Sequence, residues 1–161
     1  MYPNVVTAVI TDIHNKYRKT NTITFTRGKV HNYLGMKIDF YAPEKVEITM
    51  NDSIFDIIDD APNEMIGEAV TPAGDHLFQV NEEEPIYLDD KAAVEFHHIV
   101  AILLFLCKRA RPYLQTSVAF LCTIVQNLDT DDYKKISRTL KYFHTNVGLP
   151  LISGMDGTNT I

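Results

Sequence analysis

Two adjacent aspartates near the middle of the chain are the residues best suited to metal chemistry. Asp89 and Asp90 end the segment "IYLDD". Paired carboxylates on a tight turn between two apolar strands can hold Mg²⁺ against substrate phosphates, provided that a third carboxylate comes from another strand. Here the segment follows "NEEEP" and precedes the helical pattern "KAAVEFHH", so the strands are missing. We therefore predict that both aspartates are helix-capping acids, and we assign no catalytic or metal-binding residue.

A group of positive charges in "LFLCKRARPYLQ" could bind an anion. Lys108, Arg109 and Arg111 lie between two apolar helical patterns. Pro112 cannot continue the first helix but suits the first turn of the second. The charges at this corner must therefore reach water or an anion. Arg111 has two other possible partners, a nearby acid or the carbonyls that end the first helix.

More basic residues lie on a predicted helix in "DTDDYKKISRTLKYFH". Asp129 or Thr130 is expected to cap this helix, and an apolar stripe runs from Tyr133 to Phe143. The basic residues predicted on its polar side are Lys134, Lys135, Arg138 and Lys141. Together with the corner they make seven of the fifteen Lys and Arg residues of the chain, so this region is the candidate contact for phosphates.

The charge of the chain is unevenly distributed. The net charge is −6, but residues 51–95 hold thirteen Asp and Glu against one Lys, while residues 1–50 and 96–161 are each net +3. We expect the acidic block to lie away from the basic helix. Cys107 and Cys122 occupy apolar helix faces and match no metal or disulfide pattern, which predicts free thiols in a reducing compartment.

The same features predict where the protein resides. No apolar run approaches the roughly 20 residues that a membrane-spanning helix needs. The N-terminal sequence lacks the features of a secretory signal. We therefore expect an intracellular protein, cytoplasmic or nuclear, that is neither secreted nor bound to a membrane.

Hydrophobic periodicity predicts an α+β fold. A helix over residues 4–18 is followed by a strand at "TITFT", a long strand at "KVHNYLGMKIDFY", a turn at "APEK" and a strand at "VEITM". Residues 29–50 thus form a predicted β-hairpin, and Asn51 is expected to cap a short helix. Three later helices, including those flanking the corner, predict a small bundle. The resulting division is a sheet-and-helix segment over 1–60, an acidic connection over 61–88, a helical subdomain over 89–147, and a shortened connection over 148–161.

Several motifs, in order, resemble the polymerase of copia-type LTR retrotransposons downstream of its catalytic hairpin. They are "HNYLGMKIDF", the "TP" at Thr71, "FHHIVAILLFLCKRARPYLQTSVAFL" and "DDYKKISRTLKYFH". The corresponding family patterns are "LG-x-x-I", "tP", "L-x-Y-L-x-x-x-RPD-I-x-x-AV" and "YL-x-x-T". The resemblance covers nearly all of residues 4–151. It departs from the family at Tyr113, which replaces an aspartate, and at "FHT", which ends at Thr145.

The resemblance implies that residues 4–50 edge a polymerase palm and residues 92–145 form a thumb. Tyr33 and Gly35 would lie on the hairpin beside the primer, and Arg111 matches the arginine of the family "RP". The nucleic-acid-binding residues expected from charge and resemblance together are Tyr33, Gly35, Lys108, Arg109, Arg111, Lys134, Lys135, Arg138 and Lys141.

The family enzyme is an RNA-directed DNA polymerase that uses Mg²⁺, but its fingers and catalytic aspartates would precede this region and its RNase H domain would follow it. The resemblance therefore implies an incomplete fragment of a transposable-element reverse transcriptase that has no cofactor of its own. We expect the chain to be inactive alone and to bind RNA–DNA or DNA template-primer weakly, with other parts of a retrotransposon polyprotein as partners. The alternative is a domesticated or unrelated helical module that binds nucleic acid or protein.

Overall fold

A computed structural model describes residues 3–20, 24–81, 84–124 and 126–154. Within them the chain forms α-helices and one antiparallel sheet, which confirms the predicted α+β class. The elements in chain order are α1 Pro3–Tyr17, β1 Val30–Tyr33, β2 Met36–Ala42, β3 Lys45–Thr49, α2 Asn51–Asp59, α3 Asp90–Cys107, α4 Gln115–Leu121, α5 Thr130–Thr145 and β4 Leu151–Gly154. Single 3₁₀ turns lie at Asn63–Met65 and Pro112–Leu114.

The predicted long strand is two strands. It breaks at Leu34 and Gly35, whose φ angles of +49° and +76° place both in the left-handed region. Tyr33 pairs with Met36 across this two-residue loop, and two left-handed residues in succession are the geometry of a type I′ hairpin turn. The predicted hairpin at "APEK" is confirmed, since Ala42 pairs with Lys45.

The C-terminal segment, expected to be a shortened connection, contributes the fourth strand. β4 pairs antiparallel with β3, with Leu151 opposite Ile48 and Gly154 opposite Lys45, so the sheet order is β1-β2-β3-β4. The predicted strand "TITFT" is not formed over Thr24–Thr26. Its first two residues, Thr22 and Ile23, lie outside the described residues.

The helix α2 joins the sheet to the bundle. Its residues Ile54, Ile57 and Ile58 are buried. Asn51, however, is the first helical residue, and the residue before the helix, Met50, provides no side-chain cap. The prediction that Asn51 caps α2 was therefore wrong.

One hydrophobic core extends from α2 through the bundle. Met50 and Ile54 belong to the same cluster of buried side chains as Phe96 of α3 and Ile136 of α5. Four apolar residues of the bundle, Leu103, Leu121, Ile136 and Leu140, are at most 2% exposed. Each such side chain stabilises the fold by about 1.5–3 kcal/mol relative to an exposed position, so the sheet-bearing segment and the bundle are joined by apolar packing.

The first helix, α1, lies outside this core. Val5, Val9 and Ile13 are 44–59% exposed. The Arg27 guanidinium donates a hydrogen bond of 2.9 Å from Nη2 to Thr7 Oγ1. Among the described residues, no helix combines the length and apolar character needed to cross a membrane.

Candidate nucleic-acid interface

The nine sequence-predicted residues fall in three separate places, and the first is the tip of the β1–β2 hairpin. Tyr33 is 61% exposed. A Cβ added at Gly35 would lie 3.1 Å from Ser53 Oγ, so this glycine both makes the turn and allows the hairpin to approach α2. Tyr33 is therefore presented to solvent beside a turn that requires glycine.

The second place is the corner between α3 and α4. Lys108 follows the last residue of α3 and is exposed. The Arg109 guanidinium carbon lies 3.8 Å from the centroid of the Phe105 ring, and Nη1 donates to the Phe105 carbonyl at 3.3 Å. Lys108 is thus exposed to solvent, where an anion can reach it, whereas the Arg109 side chain is held against the last turns of α3.

Arg111, at the same corner, is buried. Its side chain is 1% exposed, and Nη2 donates to the carbonyls of Asn146 at 3.4 Å and Val147 at 2.5 Å. Burial raises the pKa of the neighbouring Tyr113 phenol, and the Arg111 charge opposes part of that rise. Arg111 therefore binds the carbonyls just beyond the end of α5. It is withdrawn from a phosphate on the surface, and among the described residues its side chain pairs with no acid. The expected contact with the end of α3 is made by the main chain, where Arg111 N donates to the Leu106 carbonyl at 3.1 Å.

The third place is α5, where three cations share one face. Lys134, Arg138 and Lys141 are spaced i, i+4 and i+7, which aligns them along a helix. Lys134 and Arg138 are exposed, and Lys141 is half-buried against Gly67. We call these three residues the basic stripe.

Lys135 does not belong to the basic stripe, contrary to the sequence prediction. It is 4% exposed, and its Nζ lies 3.0 Å from Asp131 Oδ2 and 3.2 Å from Asp132 Oδ1. The same ammonium donates to the Gln79 carbonyl at 2.6 Å. This arrangement could have been predicted from the sequence. Asp131 and Asp132 precede Lys135 by four and three residues, and this spacing on a helix favours ion pairs.

The connection over residues 61–88 packs along α5, beside the basic stripe. The Tyr133 hydroxyl donates to Glu64 at 3.3 Å, and the Thr139 hydroxyl donates to the Pro72 carbonyl at 3.0 Å. Near the end of α5, Ala69 N donates to Thr145 Oγ1 at 3.2 Å. The acidic block was expected to lie away from the basic helix, and this expectation was wrong.

Depressions in the surface surround the basic stripe. One, of about 840 Å³, lies at the start of α5 and is lined by Lys134, His76 and Asp131 among others. His76 Nε2 is 3.9 Å from Asp131 Oδ1. A smaller depression of about 210 Å³ is bordered by all three stripe residues and by Glu68. A negative ligand would therefore meet three cations and at least one nearby carboxylate.

Asp89 and Asp90 begin α3, as predicted. The Asp89 carboxylate accepts a hydrogen bond of 2.8 Å from Ala92 N, and Asp90 is the first helical residue. The preceding "YL" pairs with the loop before α5, where Leu88 N donates to the Leu128 carbonyl at 2.8 Å. Across the described ranges, no three His, Cys, Asp or Glu residues are grouped so as to hold a metal ion.

A scan against models of protein families, a search of curated proteins and a search of solved structures each found no match to this chain.

Proposed function

We propose that this chain is a nucleic-acid-binding module that does not itself polymerise, and that it derives from the palm edge and thumb of a copia-type reverse transcriptase. The observation that supports binding is the basic stripe. Lys134 and Arg138 are exposed on one helix face and Lys141 is half-buried beside them. Lys and Arg are the side chains that bind phosphates irrespective of base sequence.

The length of the basic stripe suits a short run of nucleotides. An α-helix rises about 1.5 Å per residue, so Lys134 and Lys141 lie about 10 Å apart along the axis. One strand of a duplex advances about 3.4 Å per nucleotide. The stripe therefore spans about three nucleotides of one strand. RNA–DNA hybrid is the ligand favoured by the resemblance to a reverse transcriptase thumb.

Neighbouring charges make the expected binding weak. Glu68 borders the basic stripe, and the net charge of −6 repels a polyanion at long range. We expect Kd values of ~10⁻⁴–10⁻⁶ M, the range of non-specific contacts, with little sequence preference.

A protein-interaction module is the second candidate, and the exposure of α1 favours it. The side chains Val5, Val9 and Ile13 would normally be covered in a stable monomer. Such a module would bind its partner through α1, and removing the charges of α5 would leave that binding unchanged.

Charge removal on α5 tests the proposal. We expect Lys134→Gln/Arg138→Gln/Lys141→Gln to weaken binding of labelled RNA–DNA hybrid in fluorescence anisotropy. The slope of log K against log salt concentration is negative, and its magnitude should fall by about 2–3. Each lost phosphate contact accounts for about 0.9 of that fall. Lys135 is left intact because it pairs with the half-buried Asp131 and the buried Asp132. Its removal would leave both carboxylates without their cation.

The matched control is Lys16→Gln/Lys19→Gln/Lys91→Gln, which removes the same charge from exposed positions outside α5. It should bind hybrid nearly as the parent does. If both variants lose the same affinity for hybrid, the effect comes from net charge and not from the basic stripe. If the parent fails to bind hybrid in low salt, the proposal is refuted.

A further inference from the structure

Thr71 has a distinctive position in the connection. Its side chain is exposed, and it follows Val70, which is 91% exposed. It is the one Ser or Thr in the sequence that is directly followed by proline. The surrounding residues form neither helix nor strand, so this Thr-Pro pair lies on an irregular surface segment of the kind that a proline-directed protein kinase can bind in extended form.

A cation already contacts the Thr71 hydroxyl. Arg138 Nη2 donates to Thr71 Oγ1 at 2.8 Å, and the hydroxyl in turn donates to the Ala73 carbonyl at 2.9 Å. Arg138 and Lys134 border two depressions, of about 210 and 170 Å³, on this side of α5. Lys141 borders the larger of the two, and Glu68 is the acid that would oppose a second negative group there.

We propose that Thr71 is a phosphorylation site whose phosphate is bound by Arg138, with Lys134 and Lys141 as the neighbouring cations. A guanidinium forms paired hydrogen bonds to phosphate oxygens, and here it stands within hydrogen-bond distance of the acceptor oxygen before modification. The phosphorylation site itself does not depend on the proposed function. Only the effect of the phosphate on nucleic-acid binding rests on it.

The chemical step is an ordinary phosphoryl transfer from ATP, supplied by the kinase. Thr71 Oγ attacks the γ-phosphorus, the Oγ–P bond forms, and the bond from that phosphorus to the β–γ bridging oxygen breaks. ADP leaves, and the hydroxyl proton passes to the base of the kinase. Because the product has no hydroxyl hydrogen, the hydrogen bond to Ala73 is lost while the contact with Arg138 gains charge.

Phosphorylation would also change the basic stripe. The added group carries a charge of about −1.5 to −2 at neutral pH, which offsets about half to two thirds of the three positive charges that the stripe contributes. Hybrid binding through the stripe should therefore weaken, with a roughly three- to tenfold rise in Kd at low salt. The site would thus work as a negative regulator of nucleic-acid binding.

The test incubates the full chain with a proline-directed serine/threonine kinase and ATP–Mg²⁺. Mass spectrometry should find one phosphate, located at Thr71, and Thr71→Val should abolish it. A ³¹P NMR titration should then give a second phosphate pKa below the ordinary ~6, and Arg138→Gln should raise that pKa toward the ordinary value. Hybrid binding is measured on the modified and unmodified chain.

The outcomes separate the two proposals. If the kinase leaves the folded chain unmodified, or if Arg138→Gln leaves the phosphate pKa unchanged, the inference about Thr71 is overturned. Modification with a lowered pKa supports the site even if the unmodified chain fails to bind hybrid, and that result would count against nucleic-acid binding alone. Modification that leaves measurable hybrid binding undiminished would overturn the regulatory role.

Discussion

Two cations expected on the surface, Arg111 and Lys135, are buried in the fold. A buried cation is costly unless its hydrogen bonds and its charge are satisfied. Lys135 is satisfied by two aspartates and a carbonyl. Arg111 is satisfied only in part, because Nη2 donates to the carbonyls beyond α5 while its buried Nε and Nη1 have no hydrogen-bond partner among the described residues. The first arrangement could be predicted from spacing along one helix. The second could not be predicted, because Asn146 and Val147 are some 35 residues from Arg111. Every residue has a main-chain carbonyl, so the sequence does not indicate which carbonyls will accept these hydrogen bonds.

Replacing Arg111 tests its structural role. We expect Arg111→Met to lower the free energy of unfolding by about 1–3 kcal/mol, since the apolar chain is largely kept but buried carbonyls lose their donor. Arg109→Met is the matched control, because Arg109 is half-buried and contacts a neighbouring turn. It should cost about 1 kcal/mol or less. Urea unfolding of both variants gives the comparison, and an Arg111→Met chain as stable as the parent would show that these hydrogen bonds are dispensable.

Among the elements, those with strong local signals were predicted best. α3 and α5 show a capping aspartate followed by helical apolar spacing, and both begin at or beside the predicted residues. The β1–β2 turn was missed because "YLGM" lacks the Asn-Gly or Asp-Gly pair that marks a type I′ turn, and a leucine in the left-handed region is uncommon. The pairing of β4 was missed because its partner strand is distant in sequence.

Glycine at the β1–β2 turn should be essential to this hairpin. We expect Gly35→Ala to lower the free energy of unfolding by about 1–2 kcal/mol, because φ is +76° there and a side chain strains that conformation. The new Cβ would also press on Ser53 at 3.1 Å. Gly148→Ala is the control, since a Cβ there meets nothing within 4 Å, and thermal unfolding should leave it close to the parent. Equal stability of the two variants would mean that the turn can rearrange.

At the scale of the whole molecule, the fold brings opposite charges together. The acidic connection lies on the helix that carries the basic stripe, so the separation of charge seen along the sequence does not persist in space. This could not be predicted from composition, because charge counts by segment do not say which segments pack together. The described residues of the connection, 61–81 and 84–88, pack against α5 and the loop before it, although the one helical element among them is a single 3₁₀ turn.

The whole chain is expected to be inactive as a polymerase. Primer extension on poly(rA)·oligo(dT) with Mg²⁺ or Mn²⁺ should stay at background, because Asp89 serves as a helix cap and its segment pairs with the loop before α5. Asp89→Asn/Asp90→Asn should leave that background unchanged. It should also leave stability nearly unchanged, since asparagine caps helices about as well as aspartate. Extension by the parent that disappears in this variant would restore the catalytic interpretation.

The pairing of β3 with β4 has a consequence for the order of folding. These strands are about a hundred residues apart, and closing so long a loop directly carries a large entropic cost. β3 leads into α2 within two residues, however, and β4 follows α5 within six. Because α2 and α5 contact each other, docking the two helices brings both strands to the same place and shortens the loop that remains to be closed. We therefore expect the sheet to be completed after the helical core has assembled, as a late step whose speed depends on the packing of the helices.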